Sequence, residues 1–269
     1  MQWRPSKDGV GWNVRLVQIW AHRSILAWDP PWLARVRAAN ERYAQSRGYS
    51  YQWIEQPRTL LGLGGWGTHL HKVRTLARLL ATATARDVIF FADSDAVVFN
   101  HSAAVEALLG GGARDGAPDL VLPGYPCGTN GSGRVVRPRT PSGAPSGINS
   151  GVFLVRGTEW SRRLFALWLE LDGRRVQEGI SVPGDQVLLE HMQQHALMAG
   201  WHEHVAFVPA WRLNTADSDA RCRRLPRIRA EFVLHLYGRM RAQINEALDD
   251  VERGVTPRIL RPAGVSEVT

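Results

Sequence analysis

The sequence predicts an α/β protein with a Rossmann-like sheet flanked by helices, folded as a single domain over residues 1–269. Three observations predict it. Strand and helix signals alternate as β-α-β-α-β over residues 12–100, an order that builds parallel strands joined by right-handed crossovers. The third strand signal, Val88-Ile89-Phe90-Phe91-Ala92, is a charge-free run, as burial on both faces requires. That run ends abruptly in Asp93-Ser94-Asp95, and the carboxyl edge of such a sheet is where α/β folds bind ligands.

The elements follow in order. Residues 14–20 form the first expected strand. Asp29 followed by Pro30 and Pro31 marks a helix start, with the helix over residues 32–47 and Gly48 at its end. Residues 49–55 give the second strand. A glycine-rich loop at 62–67 precedes a helix from about 68 to 85, and it matches neither a Walker nor a dinucleotide fingerprint. Beyond the Asp-x-Asp strand the signals are less regular. They give a short helix at 102–109 and a short strand at 119–122. Residues 123–147, rich in Gly, Pro, Ser and Thr, read as one long loop, and a loop of that length is either functional or disordered. A strand at 148–156, helices at 159–171 and 185–198, short strands at 205–209 and 232–236, a closing helix at 240–251 and a tail at 258–269 complete the chain. No internal repeat is apparent.

Composition narrows the partners. Hydrophobic residues make up 44%, enough for a core, and the formal net charge is +8 with a pI near 10.3. That balance favours an anionic partner without choosing among nucleotide, nucleic acid and acidic membrane. The basic residues are dispersed apart from the stretch 221–229, and no nucleic-acid-binding motif occurs, so no nucleic acid is expected. Eleven tryptophans suit a core and also sugar platforms. Cys127 and Cys222 form neither metal-ligand spacing nor a disulfide framework, and their pairing stays open. No apolar run reaches membrane-spanning length and residues 1–11 lack a signal-peptide core, so the chain is expected to be soluble and cytoplasmic.

The candidate chemistry centres on the two carboxylates. Two of them close together are costly to ionise, and a divalent cation removes that cost, with Mg²⁺ or Mn²⁺ suited to oxygen ligands and phosphates. An isolated Asp-x-Asp is equally well explained as a solvated loop, but the buried strand before it weighs towards a site. His235 ends an apolar strand, where it serves either structure or a metal. Lys72 begins an amphipathic helix and by itself suits a solvated face. Asn149-Ser150-Gly151 is either a turn into a strand or a place of close backbone approach. Asp185, ahead of Gln186, is a good helix cap.

Four segments together resemble glycosyltransferase family 34, the galactosyl-, xylosyl- and mannosyltransferases of GT-A fold. They are Phe90-Phe91-Ala92-Asp93-Ser94-Asp95-Ala96-Val97-Val98-Phe99-Asn100; Ile148-Asn149-Ser150-Gly151-Val152-Phe153-Leu154-Val155-Arg156 with Glu159-Trp160-Ser161 and Trp168; Asp185-Gln186-Val187-Leu188-Leu189; and His235-Leu236-Tyr237-Gly238. They occur in the family's order between about Lys72 and Gly238. The resemblance implies a GT-A fold with a mixed sheet, a nucleotide-sugar-binding half at about 12–100 and an acceptor-binding half at about 101–255. It implies a metal-dependent, retaining transfer from a nucleoside diphosphate sugar, preferably a UDP-sugar, to a hydroxyl of a glycan or other acceptor. Mn²⁺ (or Mg²⁺) would be held by Asp93, Asp95 and His235. Lys72, Asp93, Ser94, Asn149, Ser150, Gly151, Gly238, Arg239 and Arg241 would bind the donor. The family's usual Lys five residues after the His is Met240 here, so Arg239 or Arg241 would supply that charge. Asp185 would bind sugar hydroxyls and Gln186 would lie near the anomeric carbon. Asn214-Thr215 would face the acceptor. Many relatives are anchored in the Golgi, so an excised domain would place this chain in the Golgi lumen.

Two other functions fit parts of the sequence. Asp93-Ser94-Asp95-Ala96-Val97-Val98 also suits a haloacid-dehalogenase-like phosphatase, with Asp93 as nucleophile and Asp95 as acid/base. That reading gives the Asn149 and His235 strands no role, and it places the nucleophile strand unusually late. A nonenzymatic nucleic-acid binder would use the positive charge. No base has a clear claim to an inverting transfer, although Glu159, Glu178 and Asp217 are unplaced by sequence alone.

Overall fold

The computed structural model of the chain describes residues 11–21, 29–56, 67–110, 116–125, 128–129, 135–136, 147–177, 184–214, 231–236, 243–257 and 260. In chain order the first elements are β1 (Asn13–Ala21), α1 (Pro31–Arg47), β2 (Ser50–Gln56), α2 (Gly67–Ala81), β3 (Asp87–Asp93) and β4 (Ala96–Val98). A 3-10 turn (Val105–Leu109), β5 (Leu120–Tyr125), β6 (Gly128–Thr129), β7 (Val135–Val136), β8 (Gly147–Ile148) and β9 (Val152–Arg156) follow. The rest comprises α3 (Glu159–Gln177), α4 (Gly184–Gln194), α5 (Trp201–His204), β10 (Val205–Pro209), α6 (Ala210–Leu213), β11 (Val233–His235) and α7 (Ile244–Glu252).

The expected β-α-β-α-β half is present, with β1 pairing in parallel with both β2 and β3. The sheet runs β10-β5-β9-β3-β1-β2, and β8 adds to β5. It is mixed, because β9 lies antiparallel to its neighbours β3 and β5.

Val88 to Ala92 of β3 are fully buried, as their charge-free sequence predicts. Alternate side chains serve two layers. Ile89 and Phe91 pack with Leu76, Leu164 and Leu188 of α2, α3 and α4. Val88, Phe90 and Ala92 pack with Tyr43 of α1 and with Phe232. Burial of each large apolar side chain contributes roughly 1.5–3 kcal/mol, which makes β3 a rigid mount for whatever follows it. A third cluster joins α1 to α7 and to the β4–β11 ribbon through Val36, Val97, Leu234 and Leu248.

Local chemistry shifts several expected boundaries. Pro30, not Asp29, caps α1, and Pro31 opens it where a missing N–H is harmless. Asp29 instead accepts a 3.0 Å bond from Trp20 Nε1. Gly48 closes the helix in the left-handed region, at φ 72°. α2 stops at Ala81 rather than 85, and Thr84 N and Oγ1 donate to Asp87 Oδ2 at 2.6 and 2.8 Å, which steers the chain into β3. The strand expected over 148–156 is broken into β8 and β9, because Asn149 Oδ1 takes the Gly151 N–H at 2.8 Å. α3 continues to Gln177, past 171, and α4 ends at Gln194, before 198. In the stretch expected as one loop, β5 continues through Tyr125 and β6 pairs with β7. Residues 62–66, the tail from 261, Cys127 and Cys222 lie outside the described residues. Among the described residues no helix is long and apolar enough to cross a membrane.

Candidate active site

β3 carries Asp93 to the carboxyl edge of the sheet, and Ser94 and Asp95 turn the chain away from it. β4 then pairs antiparallel with β11, with Ala96 opposite His235. Leu236 N donates to Asp95 O at 2.9 Å, so the backbone fixes the histidine against the turn. His235 Nε2 lies 3.2 Å from Asp95 Oδ1 and 3.7 Å from Asp93 Oδ2. One ligand atom from each of the three residues falls within 4.8 Å of the others. Asp95 and His235 are buried, whereas the Asp93 side chain is 35% exposed and opens the group to solvent.

Buried polar side chains hold this turn. Gln18 Nε2 donates to Asp93 O at 3.1 Å and Ala96 O at 3.3 Å, and Tyr51 OH donates to Gln18 Oε1 at 2.9 Å. Asn40 Nδ2 donates to Ala96 O at 2.8 Å, while its Oδ1 accepts from Val98 N at 2.7 Å. None of these three was marked by motif. The signal available was a polar residue at a core-facing position of an apolar strand or helix.

Lys72 is no solvated lysine. α2 turns it inward, where it is 6% exposed. Its Nζ forms an ion pair with Asp185, donates to Ser150 O at 3.0 Å and lies 3.6 Å from Asp93 Oδ1. The ammonium also sits 5.0 Å from the centre of the Phe91 ring, a favourable cation–π distance. Burial disfavours the lysine charge, but Asp185 and Asp93 outweigh it and raise its pKa. Burial likewise raises the Asp93 carboxyl, against the pull of Lys72 and His235.

The second half of the chain brings Asn149, Ser150, Gly151 and Asp185 to the same edge. Asp185, in the first turn of α4, accepts from Ser150 Oγ at 2.6 Å as well as from Lys72. Its partners are therefore tertiary and go beyond a helix cap. Asn149 Oδ1 accepts from Gly151 N and from Asn214 Nδ2 at 3.0 Å. Asn214, expected on the acceptor side, is fully buried and supports Asn149 instead. Gly151 is required by space: an added Cβ would stand 2.2 Å from His235 Cε1 and 2.7 Å from Asp93 Oδ2. Gln186 is half-buried, and its Nε2 donates to Glu190 Oε1 at 3.4 Å. Ser94 occupies the turn between the two aspartates. Gly238, Arg239, Met240, Arg241, Thr215, Glu178 and Asp217 lie outside the described residues. Glu159 lies at the opposite edge of the sheet, since β9 runs antiparallel to β3, and it bonds Arg162 and Arg163.

The residues fit a divalent cation. Asp93, Asp95 and Asp185 bring three carboxyl groups to one place, with the His235 imidazole and the one ammonium of Lys72 beside them. Two carboxylates with one imidazole form a donor set that a divalent cation can accept.

No family model matches this sequence, and no curated protein matches it. Solved structures do. The chain is similar to a glycosyltransferase involved in the glycosylation of the major capsid of PBCV-1, at a TM-score of 0.57 and 12% identity over 88% of this chain and 98% of that one. The galactosyltransferase LgtC, solved with donor and acceptor sugar analogs, matches at a TM-score of 0.48 and 13% identity over 93% of this chain and 98% of that one. The fold assignment rests on the first. The chain has the GT-A type of fold, with a central mixed sheet flanked by helices.

Proposed function

We propose that the chain is a metal-dependent glycosyltransferase that moves a sugar from a nucleoside diphosphate sugar, of the UDP class, to an acceptor hydroxyl with retention of anomeric configuration. The observation that carries this reading is the convergence of Asp93, Asp95 and His235 with the Lys72–Asp185 pair at the carboxyl edge of a GT-A sheet. Asp93, Asp95 and His235 would hold Mn²⁺ or Mg²⁺, which when bound supplies positive charge where the leaving diphosphate gains negative charge. Lys72, with Arg239 or Arg241, would face the diphosphate. Ser94, Asn149, Ser150, Gly151 and Gly238 would line the donor. Asp185, oriented by Lys72 and by Ser150 Oγ, would hold sugar hydroxyls, with Gln186 near the anomeric carbon.

In the transfer, the bond from the anomeric carbon to the diphosphate oxygen breaks. The acceptor oxygen bonds to the same carbon from the same face, and its proton passes to the leaving phosphate oxygen. No side-chain base is needed. An inverting transfer would need a carboxylate on the opposite face, and Glu159 is engaged at the far edge of the sheet. The phosphatase alternative gives no role to His235, which sits 3.2 Å from Asp95. The nucleic-acid alternative fits poorly with an edge lined by three carboxylates.

A screen of nucleotide sugars for Mn²⁺-dependent hydrolysis and transfer tests the reading. Turnover that survives excess chelator would refute the metal requirement. The anomeric coupling of the isolated product, read by NMR, decides the stereochemistry, and a β-linked product from an α-linked donor would refute retention.

A further inference from the structure

Glu190 lies one helical turn beyond Gln186 on α4 and belongs to none of the motifs. Its Oε1 accepts twice, from Gln186 Nε2 at 3.4 Å and from Ile148 N at 3.1 Å. One carboxylate oxygen therefore joins α4 to the last residue of β8, immediately before Asn149. We propose that Glu190 is a positioning residue that fixes the orientation of the Gln186 amide and ties it to the Asn149-Ser150-Gly151 turn. The inference rests on the proposed role of Gln186 at the sugar.

The physical argument concerns the two ends of an amide. A glutamine side chain has a broad terminal torsion, and its NH₂ and C=O ends are similar in shape but opposite in polarity. Burial raises the Glu190 carboxyl, while the bonds donated by Ile148 N and Gln186 Nε2 favour its charged form, and an ionised carboxylate can only accept. Beside Glu190, only the orientation that presents Nε2 makes a bond, because the reverse brings two oxygens together. The carbonyl Oε1 is thereby left as the end turned away from Glu190. A carbonyl oxygen suits an anomeric carbon that gains positive charge, whereas an NH₂ group there would oppose it. The Ile148 bond adds a second effect. It holds the strand end from which Asn149 and Ser150 project, so the residues assigned to the donor share one anchor with Gln186.

The test compares E190L, E190Q, Q186A and the double variant Q186A/E190L in steady-state turnover of the donor identified by the screen. E190L is expected to lower kcat at least about tenfold, because orientation is felt mainly in the transition state, with a smaller rise in donor KM from the loosened Ile148 tie. E190Q keeps an acceptor oxygen and should restore kcat to within about threefold of wild type. In the Q186A background E190L should cost kcat several-fold less than it does in wild type, since residues acting as one unit are not additive, leaving only the share carried by the Ile148 bond. An effect confined to KM, or full additivity, would overturn the proposal. If E190L does not fold, E190D replaces it, since a shortened side chain cannot reach both partners, and the same pattern is expected. A second readout needs no turnover. The Gln186 side-chain amide signal, assigned by its loss in Q186A, should shift and exchange faster with solvent in E190L but not in E190Q, and an unmoved signal in E190L would overturn the proposal. A wild type inactive with every nucleotide sugar would refute the function while this spectrum still judged Glu190.

Discussion

Gly151 sits where no side chain fits, between His235 and Asp93. Its φ lies outside the left-handed region, so the constraint is one of space. G151A should fold, yet its methyl must displace His235 or Asp93, and Mn²⁺ affinity should fall at least about tenfold, or about 1.4 kcal/mol. Isothermal titration with Mn²⁺ reads this, and an unchanged affinity would show that the group tolerates the shift. Lys72 allows a second substitution. Removing one partner of a buried charge pair leaves the other uncompensated, which costs about 3–5 kcal/mol. K72M should lose about that much stability in chemical denaturation, and K72M/D185N should regain part of it. If the double variant is no more stable than K72M, the pair is not what holds Lys72 in place. The residue scale was also where the sequence was most and least legible. Asp93 and Asp95 stood out because a charge-free strand ended on them. The partners of Lys72 were invisible, since they come from β3, the residue 149–151 turn and α4, which no local periodicity brings together.

The β4–β11 ribbon shows how a three-residue strand can serve a site. β4 is too short to be stable by itself, and it is held by Gln18 from β1, Asn40 from α1 and the pairing to β11. Asn40 meets both a carbonyl and an N–H of this strand. N40A leaves the buried Val98 N–H unpaired, at a cost of about 1–3 kcal/mol, while Ala96 O keeps its bond from Gln18 Nε2. Denaturation of N40A should show a loss of that size, and Mn²⁺ binding should weaken with it. A neutral N40A would mean that the ribbon holds without α1. At this scale the order of strands and helices was readable because period and chain punctuation are local. The break at Asn149 was not, because it depends on an asparagine side chain outcompeting a ladder bond that pairing alone would have made. The mixed direction of the sheet was expected through the family resemblance, and β9 supplies it.

Across the whole molecule, a cation held by the native state alone should raise stability by mass action. At a free concentration of about 100 times Kd the gain is about 2.7 kcal/mol, which for a chain of this size corresponds to a rise in Tm of about 5–10 °C. Mn²⁺ should give that rise in a melting curve, chelator should remove it, and D95A should not respond. An equal rise in D95A would place the binding elsewhere. The overall architecture was legible before any of this because it depends on summed burial, whereas the proposed ligand set draws on residues 140 apart in sequence, Asp95 and His235. That separation also has a meaning in time. Bringing such distant segments together is entropically costly, and the histidine arrives on a strand that, among the described residues, pairs with β4 outside the main sheet. The proposed ligand group is therefore expected to be completed after the main sheet has formed. A cation that clasps it lowers the native state without lowering the barrier on the way in, so Mn²⁺ should prolong the native half-life under protease while leaving the refolding rate unchanged. Metal would then act as a lock fitted after the door has closed, and faster refolding in Mn²⁺ would show that the clasp forms early.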